Sequence, residues 1–287
     1  MPGAKAEIGI VGGTGLYDMP GLVDVEDVTL STPFGAPSSP VRIGTLAGRR
    51  VAFLARHGRH HTYLPTEIPY RANVYALRML GVRQAFAVSA VGSLREEYAP
   101  RHVVVIDQVV DRSRHRPSSF FERGVVAHVG YADPFCPGLR AALLEGARTA
   151  GLTAHDRGTY LNMEGPQFST RAESRIHQSW GCDVVGMTNG TEARLAREAE
   201  ICYATLAFVT DYDAWREHEA GVDLSDVLRV LRETAEGAAR AVAHAVERAP
   251  AGDCACRHAL ATGLITPVAH IPEEARTRLQ AILSPYL

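Results

Sequence analysis

The sequence predicts a single α/β domain with a central mixed, mostly parallel sheet flanked by helices. Short apolar runs of strand length alternate with stretches of helical spacing along the 287 residues, as expected when helices connect parallel strands. A hydrophobic content of 46% against 22% charged residues can build one sizeable core and is far from the composition of a disordered chain. No repeat, low-complexity tract or linker divides the chain. Residues 1–250 therefore read as one domain, and 251–287 as a C-terminal tail packing on or near it.

Each element has its own signal. Residues 6–11 are an apolar run ending in Gly12-Gly13-Thr14-Gly15, a strand entering a tight loop. Residues 41–46 and 50–54 read as a hairpin turning at Ala47-Gly48-Arg49, followed by Arg56-His57-Gly58-Arg59-His60-His61. In 69–80, Ala72, Tyr75, Ala76, Met79 and Leu80 have helical spacing, and Pro69 is tolerable in the first turn. Residues 84–88 form a buried-type strand ending at Ser89-Ala90-Val91-Gly92-Ser93, and 103–110 are one further β-branched run. A helix over 137–150 stops before Gly151, and a strand over 159–163 leads into Glu164-Gly165-Pro166-Gln167-Phe168-Ser169. Thr170 then caps a helix. Strands at 182–185 and 201–209 flank a helix at 192–200. Leu224, Val227, Leu228, Leu231, Ala235, Ala238, Ala239 and Val242 mark one face of a long C-terminal helix.

Composition excludes several chemistries. A formal net charge of -2 gives no electrostatic reason to expect nucleic acid or membrane as a partner. No apolar run approaches the roughly 20 residues that span a bilayer, and residues 1–7 lack the features of a signal peptide, so a cytoplasmic location is expected. Of 30 basic residues only Lys5 is a lysine, which removes Schiff-base and Walker-type lysine chemistry. A bound anion must be held by Arg, His, hydroxyls and backbone N–H groups. The five cysteines, Cys136, Cys182, Cys202, Cys254 and Cys256, do not suggest a disulfide framework. The two thiols and one His of Cys254-Ala-Cys256-Arg-His258 fall short of a closed zinc site, so an exposed, redox-labile tail and no metal are expected. His57, His60 and His61 lack a neighbouring acidic ligand, and Arg56 and Arg59 would repel a cation. No Gly-x-Ser-x-Gly elbow or catalytic cysteine context occurs.

The informative pattern is where polar residues collect. Four apolar strands terminate in Gly12–Gly15, Arg56-His57, Ser89-Ala90 and Thr210-Asp211-Tyr212-Asp213. Ligands of open α/β sheets bind beyond the carboxyl ends of strands, so these loops should converge. Arg, His, hydroxyls and glycine-rich N–H groups together describe an oxyanion site, most naturally for phosphate. Asp211 and Asp213 sit two apart, and in an extended chain both would point to one side. They read either as a capped acidic turn or as a carboxylate pair that binds and protonates a nitrogenous leaving group.

On these residues the chain resembles the trimeric purine nucleoside phosphorylase superfamily, and within it the branch that cleaves 5'-methylthioadenosine. The resemblance is carried by Gly12-Gly13-Thr14-Gly15-Leu16, Thr32-Pro33-Phe34-Gly35, Ala55-Arg56-His57-Gly58-Arg59-His60-His61 and Gly92-Ser93-Leu94-Arg95-Glu96-Glu97. Further matches are Asp107-Gln108, Asp111-Arg112, Pro134-Phe135-Cys136, Glu164-Gly165-Pro166 with Phe168-Ser169, and Thr210-Asp211-Tyr212-Asp213. They run in order from about Ile8 to Ala245.

The resemblance implies the single-domain nucleoside phosphorylase fold and phosphorolysis, in which a nucleoside and phosphate give a free base and a pentose 1-phosphate. It implies phosphate contacts from Thr14, Arg56, His57, Ser89, Ala90 and Thr210, and catalytic roles for Asp211, Asp213 and His57. Phe168 would stack on the purine, Ser169, Asp211 and Asp213 would bind its edge, and Met187 with Thr188 would lie at the ribose. Leu224, Val227 and Leu228 would form an apolar pocket for a 5'-methylthio group, with His128 reaching a neighbouring subunit's pocket. A homotrimer is expected, with nucleoside and phosphate as the small-molecule partners and no metal or organic cofactor. Asp211 favours adenine over a 6-oxopurine. The run Met187-Thr188-Asn189-Gly190-Thr191-Glu192 departs from the family pattern and puts Asn189 near the ribose as an extra polar group; Gln167 stands where relatives often have Arg. The rival readings are another 5'-modified 5'-deoxyadenosine such as a 5'-halo compound, a 6-oxopurine nucleoside, hydrolysis by water, and a non-catalytic nucleoside-binding module.

Overall fold

In the computed structural model, which describes residues 6–13, 16, 19–217 and 221–287, the apolar runs join into one mixed sheet of eleven strands. The strands are β1 (Ile8–Gly12), β2 (Val23–Val28), β3 (Val41–Leu46), β4 (Arg49–Ala55), β5 (Gln84–Ser93), β6 (Val103–Val105), β7 (Gln108–Asp111), β8 (Ala154–His155), β9 (Thr159–Asn162), β10 (Val184–Gly186) and β11 (Cys202–Asp211). The helices are α1 (Tyr70–Met79), α2 (Pro137–Thr149), α3 (Arg171–Ser179), α4 (Asn189–Glu198), α5 (Leu224–Glu247), α6 (Glu273–Arg278) and α7 (Gln280–Leu283). The main path through the sheet runs β2-β3-β4-β1-β5-β10-β9-β7, with β11 joining β5 to β6, and β8 on β6.

β5 is the hub. It pairs in parallel with β1 and β11, and antiparallel with β10. Helices cover both faces, so β1, β5 and β11 read as nearly continuous apolar runs rather than alternating ones. Residues of α1, α4 and the C-terminal segment fill the core on one face, and residues of α2 and α5 fill it on the other. α5 begins at Asp223, whose side chain accepts from the Ser225 N–H at 2.8 Å. Its stripe of Val227, Val230, Leu231, Ala238, Ala241, Val242 and Ala245 is buried, and each Val or Leu in it contributes roughly 1.5–3 kcal/mol by leaving water. After α5 the chain is built into the body: Leu260, Ile271, Ala275, Leu279, Ile282 and Leu283 join the same core cluster as α1 and α4.

The elements differ from the sequence expectations in several places, among them β8, α6, α7 and the start of α4 at Asn189; three differences concern the longer strands. The run 103–110 is two strands, because β6 pairs with β11 while β7 pairs with β9. The chain crosses between these partners at Asp107, whose carboxylate accepts from the Gly158 N–H at 2.9 Å. β2 was not expected at all; it is an exposed strand whose charged VDVEDV sequence suits a sheet edge. The third difference is length: β5 runs to Ser93 and β11 to Asp211, since the two strands pair along their whole carboxyl halves. No helix among the described residues is long and apolar enough to cross a membrane.

Candidate active site

β1, β4, β5 and β11 run parallel in neighbouring pairs, so their carboxyl ends open on one side of the sheet. A cavity of about 380 Å³ lies there. Its wall includes Arg56, His57, Ser89, Ala90, Phe168, Met187, Thr188, Thr210, Asp211, Asp213, Leu224 and Val227, so the fold brings together most of the residues singled out from the sequence. Thr14 lies outside the described residues.

Arg56 follows directly on β4, and its main-chain N–H donates to the Gly12 carbonyl at 2.9 Å. The side chain is 1% exposed. Its Nε and Nη2 donate to the two carboxylate oxygens of Glu192 on α4 at 2.5 and 2.9 Å, and Nη1 donates to the Val88 carbonyl at 3.0 Å. Burial alone would favour the neutral guanidine, but Glu192 outweighs it and holds Arg56 charged. A guanidinium has five N–H donors, so this arrangement leaves two for a ligand. Gly13 makes it possible, since a Cβ there would lie 2.5 Å from Nη1 of Arg56.

A buried polar chain extends from this pair. Tyr203 donates to Glu192 at 2.5 Å and accepts from Asn189 Nδ2 at 3.0 Å, while Asn189 Oδ1 accepts from Ser89 Oγ at 2.5 Å. Asn189, expected as an extra polar group near the ribose, does not line the cavity but lies behind Ser89. It is fully buried in the first turn of α4, and also donates to Thr205 at 2.6 Å. Neither Glu192 nor this role of Asn189 was foreseen; a buried acid on a helix gives no hint in sequence of which distant cation it meets.

His57 stacks on His61 with ring centroids 4.1 Å apart. Burial holds its pKa down at about 4, and the charge of Arg56 adds to that. Its Nδ1 lies 2.9 Å from the Tyr63 carbonyl. A carbonyl only accepts, so Nδ1 carries the proton and Nε2 of the neutral ring is an acceptor.

The carboxylate pair is held by a β-bulge at the end of β11, where the register with β5 shifts between Val209 and Asp211. The extended chain does not continue beyond Asp211, because Asp213 has φ +49°. The two acids reach one cavity by a turn instead: the Asp213 N–H donates to Asp211 Oδ1 at 2.8 Å, and Thr210 Oγ1 donates to Asp211 Oδ2 at 2.7 Å. Gly92 allows this packing, since a Cβ there would sit 2.9 Å from Asp211 Oδ1. Burial pushes the Asp211 carboxyl up to about 6, against those hydrogen bonds and with help from Asp213. Burial raises Asp213 too, against the Ser174 and Ser169 hydroxyls beside it.

Phe168, 43% exposed, stands at the rim. It is placed by the turn into α3, where Thr170 and Glu173 form a reciprocal cap. Ser169 is not part of the wall; its hydroxyl points to the Met163 sulfur at 3.8 Å. Leu224, Val227 and the unforeseen Val222 make an apolar end. Leu228, a further 100° round α5, does not line the cavity. The segment Thr62-Tyr63-Leu64-Pro65 does line it and was not singled out, although it directly follows the Arg-His run. His128 lies away from this cavity, its N–H donating to the Gly263 carbonyl at 2.7 Å. Gln167 lines a second, neighbouring cavity of about 610 Å³.

A phosphorylase superfamily model matches residues 7–247. The S-methyl-5'-thioadenosine phosphorylase of Koribacter versatilis is 50% identical over 283 residues, covering 98% of this chain and 97% of the relative. That of Gloeobacter violaceus is 51% identical over 288 residues, covering 98% and 96%. Among solved structures, a methylthioadenosine phosphorylase from an antarctic soil metagenomic library superposes with a TM-score of 0.93 at 44% identity, covering 98% of this chain and all of that one. Methylthioadenosine phosphorylase from Schistosoma mansoni, in complex with adenine, superposes with a TM-score of 0.83 at 32% identity, covering 98% of both chains.

Proposed function

The chain belongs to the phosphorylase superfamily, and from that premise we propose that it cleaves 5'-methylthioadenosine with phosphate to adenine and 5-methylthioribose 1-phosphate, as a pentosyltransferase. The observation that carries this reading is the division of one cavity into three chemistries. One end offers a buried cation with two free donors, the second a carboxyl raised to about 6, and the third an apolar wall.

Phosphate lies against Arg56, His57, Ser89, Ala90 and Thr210, with Thr14 as a further ligand. The purine lies on Phe168, and the ribose on Met187 and Thr188. Asp211 donates a proton or hydrogen bond to N7 as the glycosidic bond breaks, and phosphate attacks the cationic sugar carbon from the other side. Asp211, with Asp213 behind it, suits the amino group and N7 of adenine together and gives adenine the advantage. Val222, Leu224 and Val227 take the methylthio group. The nucleophile is the co-substrate itself, so the chemistry needs no metal or organic cofactor. We place the enzyme in the cytoplasm, in keeping with five free thiols. We also infer a homotrimer, in which His128 of each neighbour completes the 5' pocket.

Base release from 5'-methylthioadenosine, with and without phosphate, tests the reading beside adenosine, 5'-methylthioinosine and a 5'-chloro analogue. Strict phosphate dependence with the methylthio compound preferred is expected. Release by water alone, or a preference for the inosine compound, would overturn it.

The tautomer of His57 gives a second expectation. A ring nitrogen that accepts needs a donor, and the phosphate dianion HPO4²⁻ brings its own P–O–H. Binding at pH 8 should therefore take up no proton at His57, seen in calorimetry as a heat that does not vary with the buffer's ionisation enthalpy. An uptake of about one proton would overturn the neutral, accepting form of His57.

A further inference from the structure

The sequence gives only two thiols and one histidine near the C-terminus, but the fold adds two more thiols. The sulfur atoms of Cys136, Cys202, Cys254 and Cys256 all lie within 4.8 Å of one another. Cys136 occupies the position just before α2, Cys202 opens β11, and Cys254 and Cys256 belong to the helical turn after α5. His258 is turned away, onto Asp253 at 2.8 Å. The count that argued against metal is thus corrected: the histidine drops out and four sulfurs remain.

We propose that these four cysteines form a structural zinc site. Four thiolates around one zinc at about 2.3 Å would be about 3.8 Å from each other, and the Cys136 and Cys254 sulfurs are 3.7 Å apart. A cluster of two or more irons would hold sulfurs on different irons farther apart than this group allows. Cys136, Cys202 and Cys256 are buried and Cys254 half-buried, so the ion would be closed off from water, as structural zinc sites are. The N-terminus of the 13-residue α2 at Cys136 favours a thiolate there. Cys182 shows the alternative use of the residue: it packs singly with Leu94, Leu161 and Val185 as a small hydrophobe.

On binding, four thiols release four protons and one Zn²⁺ takes four thiolate bonds; nothing is oxidised or reduced. The ion would tie the segment after α5 to α2 and to the start of β11. Cys202 and Asp211 are the first and last residues of that strand, so the ion is remote from the base site and serves stability.

The test is metal analysis of the whole chain, expressed with zinc present and purified without chelator. About one zinc per chain is expected, with five reduced thiols by intact mass. Cys254→Ser/Cys256→Ser should lose zinc roughly tenfold or more and lower Tm by several degrees, while kcat/KM stays within about twofold; Cys182→Ser should keep the metal. Should the double variant fail to fold, cobalt(II) in the unaltered chain keeps the question open to measurement, and a thiolate-to-cobalt charge-transfer band is the expected result. No bound metal with all five thiols free, a mass lowered by disulfide formation, or iron in place of zinc would each overturn the assignment.

Discussion

Asp211→Asn is expected to lower kcat/KM on 5'-methylthioadenosine by roughly 10²–10³, the range that a lost general acid commands. The same change should raise activity on 5'-methylthioinosine relative to the adenine compound, because an amide can donate to a 6-oxo group. The pH dependence follows from the raised pKa of about 6. The protonated carboxyl is the acid, so the wild-type rate should fall as pH rises above about 6, and this limb should vanish in the variant. His57 titrates near 4 and stays neutral across that window.

Stability supplies a check that does not depend on the chemistry. Asp211 has a folded pKa above its ordinary 3.8, so the folded state binds the proton more tightly and loses stability as pH climbs from about 4 through 6. The loss is at most on the order of 3 kcal/mol. The amide pays no such penalty, so Asp211→Asn should melt higher than wild type at pH 8 and no higher at pH 4. An unchanged base preference together with an unchanged pH limb would remove Asp211 from the proposed role.

The parts of this molecule legible in sequence are those set by local pattern. The strand ends at Arg56-His57, Ser89-Ala90 and Thr210–Asp213 could be placed because apolar runs stop there, and parallel strands must open on one side. The stripe of α5 and the Thr170 cap were legible for the same reason. Partners at long range were not. Glu192 meets Arg56 across 136 positions, and the four cysteines are drawn together from three separate segments. The carboxylate pair shows a middle case: both residues line the cavity, but the extended geometry considered for them gave way to a bulge and a left-handed residue at Asp213. A bulge inserts one residue into one strand, and only the pairing partner reveals it.

The largest effect on the fold should come from Arg56→Met. It removes the cation proposed to hold phosphate, and phosphate-dependent cleavage should fall by at least about 10². It also strands Glu192, whose side chain is 5% exposed, with Tyr203 and no counter-charge. Breaking one side of a buried pair typically costs about 3–5 kcal/mol, whereas replacing both sides can be nearly neutral. Arg56→Met/Glu192→Gln should therefore recover most of the lost Tm and none of the activity, because the amide still accepts from Tyr203 but the anion site stays empty of charge. Thermal melts of wild type, single and double variants, each with phosphate titrated in, separate the two roles. Phosphate should raise the Tm of the wild type and leave the double variant unmoved. If the double variant remained as unstable as the single one, the Glu192 charge would not be the cause. If it still bound phosphate at wild-type strength, Arg56 would be a purely structural cation, and the anion would have to be held by His57, the hydroxyls and the main chain.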